Sequence, residues 1–499
     1  MDDRNMTTKE RAARLHATLE RIETAVRTEQ QRQLAAWERF NVREKFTPSA
    51  ANLAAYIALR HHELREVQHE LATLGLSSLG RLESRVLPVL QATKAALAAL
   101  AGMEPEAMPG EAAFYAGEQL LAERRARIFG APGERRHCAL LVTCPAEAAD
   151  DPSFMLGLAR RQVEAVRINC AHDDAAAWAR MVAHARAAEA ETGHRLRIFM
   201  DLAGAKVRTG EIERLGKEKR RLFKGDRLAI VAPGELDRAL HKGLAFAVEC
   251  TLPEAVIAAE KGHTVHIDDG KIACIIVEKQ DGALICEVTR AGVEGAKLKS
   301  EKGLNFPDSD LGVEALTAKD RADLAFVAQH ADAIEYSFVS RPQDIATLQE
   351  ELARHRPADW ESIALVLKIE TDEAIANLPE LIVSAGARQP VAVMIARGDL
   401  AIEIGFTRLA EMQEEMLWIS EAACIPAIWA TQVLENLVKD GKPSRGEMTD
   451  AAMAARADCV MLNKGPYVLE AIDTLDEIIG RMGGHVQKKS ALLRPLRSW

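Results

Sequence analysis

The sequence predicts an α/β protein: a (β/α)8 barrel of the TIM type, with a small β domain inserted into it and an α-helical extension ahead of it. Three observations carry this expectation. From residue 138 onward, eight short apolar runs rich in β-branched and aliphatic residues alternate with amphipathic, Ala-rich segments, most long enough for one helix. One interval, 209–316, is too long for a single crossover and holds short alternating strands with turn signals. Residues 1 to about 130 are rich in Ala, Leu, Glu, Arg and Gln, with apolar residues at helical spacing.

In the extension, Leu15, Leu19 and Ile22 form one apolar stripe, and Leu53, Ile57 and Leu64 form part of another. Ser77 or Ser78 is expected to cap a further helix carrying Leu79, Leu87, Leu90 and Leu97, kinked at Pro88 and ended by the 102–110 stretch. A last helix over 111–128 leads to the Gly-Ala-Pro-Gly break at 130–133. No chemistry is legible there, and His61 and His62 read as solvated. Packing on the barrel, self-association and partner binding all remain open for this region.

The eight runs are CALLVTC (138–144), VEAVRINC (163–170), LRIFMD (196–201), DAIEYSF (332–338), IALVLKI (363–369), VAVMIA (391–396), IPAIWA (425–430) and DCVMLN (458–463). Right-handed crossovers repeated around eight such strands close a parallel barrel. The long interval contains GDRLAIV, HTVHIDDGKIACIIVE and GALICEVTRAG, read as an antiparallel β domain inserted after the third strand. The expected divisions are therefore 1–135, the extension; 136–210 with 304–485, the barrel; 211–303, the insert; and 486–499, a basic tail.

Length and composition bound the function. The chain has 499 residues and a net charge of −10, which weighs against a broad nucleic-acid surface but leaves local basic pockets open. No apolar run approaches the roughly 20 residues needed to cross a bilayer, and the first residues are charged, so a cytoplasmic location is expected. The eight cysteines are scattered singly without C-x-x-C spacing and read as reduced core residues.

The stretch 365–405 concentrates the chemistry. Two apolar runs one helix apart end in Lys368 and Glu370 and in Arg397 and Asp399, and two carboxylates suit a hard divalent cation such as Mg²⁺ or Mn²⁺. Lys368 then stands beside whatever anion the metal holds. Arg167, Asn169, Asp201, Ser337, Thr431 and Asn463 also fall at or just past the ends of their runs. In a parallel barrel all these ends open on one face, where catalytic groups gather.

These residues resemble the pyruvate kinase family. RINCAHD (167–173), MDLAGAKVRTGEI (200–212), KSEKGLNFP (299–307), KIE (368–370), MIARGDLAIEI (394–404), ATQVLENLV (430–438), PSRGEMTD (443–450) and ADCVML (457–462) follow the family's motifs in order over roughly 136–483. The resemblance implies transfer of a phosphoryl group from phosphoenolpyruvate to ADP, giving pyruvate and ATP. It places Lys368 at the transferring phosphoryl group, Glu370 and Asp399 on the divalent metal, and the backbone amides of Arg397, Gly398 and Asp399 on the substrate carboxylate. It also puts Thr431 at the substrate, Arg167 as a bridge to the phosphate, and Asn169, His172 and Lys302 near the nucleotide. The inserted domain becomes a lid that excludes water.

Departures from the family pattern are equally specific. Ala171 and Lys206 stand where K⁺-dependent members carry serine and glutamate, and Leu202 replaces a threonine. Lys206 matches K⁺-independent variants, whose ammonium takes the place of the ion, so K⁺ is not expected to be required. The family's Ser-Gly-Glu-Thr-Ala loop after the eighth strand, linked with proton delivery to the enolate, is replaced by a direct run from Asn463 towards the next helix, which bears on turnover. The first strand ends VTCPAE, without the usual glycine. Only the basic tail stands where the family's C-terminal regulatory domain begins, so its sugar-phosphate effector site is not expected. Two other readings stay open: a metal-dependent pyruvate-enolate lyase or aldolase, and a catalytically weak regulatory protein whose helices bind a partner. A homo-oligomer through the barrel or the N-terminal helices is compatible with either.

Overall fold

The computed structural model describes residues 6–131, 136–215, 221–239, 243–280 and 282–492. Barrel strands β1 (Ala139–Thr143), β2 (Ala165–Asn169) and β3 (Arg197–Asp201) precede an inserted set: β4 (Thr209–Arg214), β5 (Arg227–Val231), β6 (Phe246–Cys250), β7 (Thr264–Ile267), β8 (Ile272–Gln280), β9 (Ala283–Arg290) and β10 (Leu304–Asn305). The barrel resumes with β11 (Ala333–Tyr336), β12 (Ala364–Ile369), β13 (Val391–Ala396), β14 (Ala427–Ala430) and β15 (Cys459–Leu462). Each barrel strand falls within one of the eight apolar runs. They are β-branched and buried on both faces because helices cover the outside and side chains fill the inside. All neighbours pair in parallel, in the closed order β1-β15-β14-β13-β12-β11-β3-β2.

The insert is a seven-stranded sheet in the order β10-β7-β8-β9-β5-β6-β4. Its sheet is mixed, which corrects the antiparallel expectation: β5 and β6 run parallel, from Leu228↔Phe246 to Val231↔Glu249. Parallel neighbours cannot be joined by the tight hairpin that an antiparallel pair allows. Leu228, Ile230, Val248, Val265, Cys274 and Cys286 form part of a core belonging to this domain alone. Entry and exit lie side by side. Arg208 bridges to Gly303, while the Thr209 hydroxyl accepts from the Lys302 amide at 2.9 Å and donates to the Lys299 carbonyl at 2.8 Å.

Helices α1 (Thr8–Trp37), α2 (Thr47–Arg60), α3 (Arg65–Thr73), α4 (Val86–Ala101) and α5 (Glu111–Phe129) build the extension. Thr7 and Glu10 form a capping box that starts α1. Two details depart from expectation. The fourth helix begins at Val86, well after Ser77 and Ser78, and Leu79 sits before it with φ +60°. Pro88 therefore lies in the first turn, where its missing N–H breaks no helical hydrogen bond and no kink follows. Leu64 belongs to the start of α3, not to the stripe of α2.

Of the roles left open for the extension, packing on the barrel is observed. Asn52 donates to the Ala422 carbonyl at 2.8 Å, and Arg124 donates to the carbonyls of Ala423 at 3.0 Å and Cys424 at 2.9 Å. Phe46 lies so close to Gly386 that a Cβ there would fall 2.4 Å from the ring. At the end of α5, Ile128 and Phe129 enter the barrel's lower mouth, with Phe129 stacked on Phe199 at 5.5 Å and 13°. Ala139, Ala165, Ala333, Ala364 and Ala392 face the same interior layer, and their small side chains leave the room these two residues fill.

The start of the expected tail folds back as a two-stranded hairpin, Val486–Gln487 with Ser490–Ala491. Lys488 bonds Asp458 of the barrel and Lys489 bonds Glu83 of the extension. Residues 132–133 of the glycine break and 493–499 of the tail lie outside the described residues. All eight cysteines are free and buried. Among the described residues no helix is long and apolar enough to cross a membrane.

Candidate active site

Strand parity brings the charged residues together. Side chains alternate in and out along a strand, so residues two apart share a face. In β12, Ala364 and Val366 face the barrel interior, and two steps further up stands Lys368, followed past the strand end by Glu370. The same count leads from Ala165 to Arg167 and Asn169 in β2, from Phe199 to Asp201 in β3, and from Ala333 to Glu335 and Ser337 at β11. In these four strands the upper positions are polar and the lower ones apolar or small, so a closed floor carries a charged mouth, to which β13 and β15 add Met394, Ala396 and Met461.

Arg167, Asn169, Asp201, Lys206, Ser337, Lys368, Glu370, Asp399 and Thr431 line one cleft of about 150 Å³ at that mouth. Asp201 is its hub. Its carboxylate accepts from Lys368 Nζ at 3.0 Å and from the Arg167 guanidinium, and the Ser337 hydroxyl donates to it at 3.2 Å. Arg167 also donates to Glu335 at 3.0 Å and to Thr143 Oγ1 at 3.2 Å. Burial opposes every charge here, yet Arg167 and Lys368 outweigh it and hold Asp201 below the usual carboxylate range. For Lys368 burial again opposes, and Asp201 and Glu370 outweigh it, so the ammonium stays charged at neutral pH.

Glu370 is 3% exposed and held from two sides. Its Oε2 accepts from the Phe338 amide at 2.7 Å, and its Oε1 lies 3.2 Å from Lys368 Nζ. Phe338 presents that amide from a left-handed backbone, φ +57°. Burial raises the Glu370 pKa; Lys368 pulls it down and Asp399 pushes it up. Asp399, in the first turn of the helix Arg397–Ile404, receives Lys206 Nζ on both oxygens, at 2.7 and 2.9 Å. The two carboxylates expected to share a metal thus face one cleft, each with a lysine beside it.

Thr431 combines backbone strain with an unpaired hydroxyl. It adopts φ +64°, followed by Gln432 at +58° and Leu434 at +48°, although a β-branched residue strongly disfavours that region. Its Oγ1 is buried without a hydrogen-bond partner in a cleft that supplies no alternative. Gly398 sits against it, its Cβ position 3.6 to 3.8 Å from the threonine side chain. A strained, unsatisfied hydroxyl beside a helix start, in the cleft that also holds Glu370 and Asp399, suits a ligand oxygen.

Other expected residues contribute less directly or stand apart from this group. The Arg397 guanidinium points away from the cleft, bonded to Asp450 at 2.5 and 2.9 Å and to the Ala430 and Thr431 carbonyls, and lies over Trp429; only its backbone is available to the site. Asn169 uses its Oδ1 to accept from the Ala171 amide at 2.9 Å. His172 does not line the cleft, and burial lowers its pKa. Lys302 stands on the insert's return, 3.4 Å from Asp268. Asn463 donates to Glu435 at 3.2 Å, leaving Met461 as the cleft residue from β15.

Several contributors escaped the reading of the sequence. Glu335 is fully buried, bonds Arg167, and is pushed up to about 7 by burial, with Asp201 adding to the rise. Its only sequence signal is a charge inside the apolar run DAIEYSF. Arg208 lines the cleft, and Phe338 contributes only its backbone, which no side-chain pattern reveals.

The donor set fits a hard divalent cation. Glu370 and Asp399 supply oxygens, and among the described residues no third His, Cys, Asp or Glu joins them in a ready cage. Two carboxylates with the remaining positions left to water and substrate oxygens is the coordination Mg²⁺ favours. Lys206 on Asp399 sets a condition, since the ammonium must share that carboxylate or shift when a cation binds.

The pyruvate kinase barrel-domain model matches residues 136–472. The chain is 31% identical to a pyruvate kinase of Geobacillus stearothermophilus over 340 residues, 66% of this chain and 54% of that one. It is 33% identical to a pyruvate kinase of Methylorubrum extorquens over 350 residues, 68% and 67% of the two chains, and 31% identical to one of Thermotoga maritima over 324 residues, 63% and 65%. The match thus spans roughly half to two thirds of the length of these relatives.

Proposed function

The chain belongs to the pyruvate kinase family, and we propose that it transfers the phosphoryl group of phosphoenolpyruvate to ADP, with a divalent metal and without a requirement for K⁺. One observation carries this reading best: a buried, charged lysine, Lys368, stands 3.2 Å from Glu370 in the same cleft as Asp399 and the unsatisfied Thr431 hydroxyl. A lyase or aldolase needs the carboxylate pair but has no use for a fixed ammonium at the phosphoryl position.

In this proposal the phosphoryl group lies against Lys368 Nζ, which stabilises charge on the equatorial oxygens as the P–O bond to the enol oxygen breaks and the ADP β-phosphate oxygen bonds to phosphorus. Arg167, held in orientation by Asp201 and Glu335, bridges to the same group. The amides of Arg397, Gly398 and Asp399 and the Thr431 hydroxyl orient the three-carbon substrate. A bound Mg²⁺ or Mn²⁺ on Glu370 and Asp399 would neutralise developing oxyanion charge. The insert covers the cleft and keeps out water, a competing acceptor. Protonation of the enolate carbon completes pyruvate. Asn169, His172 and Lys302 flank the nucleotide, and the reaction belongs in the cytoplasm.

Lys206 supports the K⁺ independence. Its ammonium already supplies a fixed positive charge at Asp399, while Ala171 and Leu202 offer no side-chain oxygen to an ion. A coupled assay with phosphoenolpyruvate, ADP and Mg²⁺ tests the whole reading: pyruvate should form at rates indifferent to replacing K⁺ by tetramethylammonium. No pyruvate above background at micromolar enzyme would sink the proposal, and strong K⁺ stimulation would sink its cation part.

A further inference from the structure

A second cavity, of about 300 Å³, lies between the extension and the barrel near the entrance of β13, at the opposite end of that strand from Asp399. Arg43, Lys45, Arg124 and Arg127 line it from the extension, and Gln389 and Pro390 from the barrel. Among the described residues Glu123 is the one carboxylate in its wall.

Among the described residues these cations make no ion pair, Glu123 and Glu361 acting on Arg124 and Arg43 only from longer range. Arg124 donates to Ser49 Oγ at 2.6 Å and to three carbonyls, those of Lys45, Ala423 and Cys424, all neutral. Arg43 donates to the Arg388 carbonyl at 3.2 Å and the Gln389 carbonyl at 2.7 Å, and its Nε is buried with no partner. The side chains of Arg127 and Lys45 make no hydrogen bond or ion pair among the described residues. Other arginines of the same extension behave differently, for Arg39 pairs with Glu380 at 2.7 Å and Arg85 with Glu118. Anchoring the extension accounts for the carbonyl contacts of Arg43 and Arg124. It does not account for four cations around one void in a chain of net charge −10.

A buried guanidinium without an ion pair is costly, and burial pushes Arg124 down to about 10 and lowers Arg43 as well, with Arg127 adding to the effect on Arg43 and Glu361 opposing it. An anion in the void would remove that cost. Several guanidinium forks around one space match the several oxygens and double charge of a phosphoryl group better than a single carboxylate.

We propose that this cavity is a binding site for a phosphate-bearing small molecule, its phosphoryl group held by Arg43, Arg124 and Arg127 where the extension meets the barrel. The assignment is independent of the function read from the cleft. Its occupant would touch both parts of the chain and so tighten their union.

Calorimetric titration of the full chain with inorganic phosphate and with glycerol 3-phosphate, against chloride at matched ionic strength, tests this. Arg127→Glu is the informative variant, because Arg127 is exposed and unpartnered and its loss leaves packing intact. Binding is expected in the wild type and in Lys368→Met, and weakened at least ~10-fold in Arg127→Glu. A tighter ester than free phosphate identifies a phosphorylated metabolite as the occupant, whereas equal affinity identifies phosphate itself. Binding lost in Lys368→Met but kept in Arg127→Glu would place the anion in the cleft and overturn the proposal, as would no heat beyond the chloride control.

Discussion

Lys368 and Lys206 are two ammonium groups in one cleft with separate tasks. Lys368 is fixed by Asp201 and Ser337, and in the proposed reaction it meets the transferring phosphoryl group. Lys368→Met should lower phosphoryl transfer by about 10³-fold or more, because only the partner of transition-state charge is removed. Divalent metal binding, followed by Mn²⁺ paramagnetic resonance, should persist in that variant; joint loss of both would place the lysine's role in folding. Lys206 instead neutralises Asp399. Lys206→Met should therefore tighten Mn²⁺ binding several-fold while impairing transfer, and unchanged affinity would show that the ammonium leaves Asp399 once metal arrives. Lys368, Glu370, Asp399 and Thr431 were legible in the sequence because each ends an apolar run with a polar group. Glu335 was not, being a single charge within such a run. The pairing of Lys206 with Asp399 joins positions 193 apart, and no local pattern announces it.

At the scale of elements, the last turn of α5 acts as the floor of the barrel. Phe129 is 1% exposed, stacks on Phe199 and meets a layer built of alanines. Phe129→Ala should cost about 3 to 5 kcal/mol in urea unfolding, since the rigid alanine layer cannot collapse into the void. A cost under ~1 kcal/mol would mean that neighbouring side chains close the mouth unaided. Gly386 tests the other contact of the extension. Its hydrogen faces the Phe46 ring, and Gly386→Ala should destabilise by roughly 1 to 3 kcal/mol as that ring is displaced. The helices of the extension were readable from their period, whereas the start of α4 was not. Serines at 77 and 78 offer a cap, but the chain turns at Leu79 and enters the helix only at Val86, because burial of Leu82 and Val86 decides the geometry.

Across the whole molecule, the extension, the barrel and the terminal hairpin meet around partly buried Glu421, with Glu83, Asp458, Lys488 and Lys489 facing it. Burial pushes Glu421 up to about 7, Lys488 opposing and Glu83 and Asp458 adding. Burial likewise places Glu335 and Glu403 at about 7. Each carboxyl binds its proton more tightly folded than unfolded, where the value is near 4.5. The stability it confers is complete below that value and is lost as pH rises through 7. Asp201, with a lowered value, acts below pH 4 and leaves this window untouched. Across pH 5 to 7.5 these carboxyls should lower the unfolding free energy, against the depressed His172, His266 and His330, which raise it over part of the same range, and Glu421→Gln should remove about 1 to 2 kcal/mol of the carboxyl contribution, the modest size reflecting partial exposure. A variant with an unaltered pH profile would show that Glu421 titrates normally. The fold class, the interruption after the third strand and the chemical kind of the cleft were readable along the chain, because strand period, run length and end charges are local properties that a closed barrel turns directly into position. Which charges meet depends on the closed fold: Arg167 with Asp201 and Glu335, Lys206 with Asp399, and at the base four cations without an ion pair among the described residues. Those pairings join distant parts of the chain, and their energies depend on burial and distance, which exist only once the chain has closed.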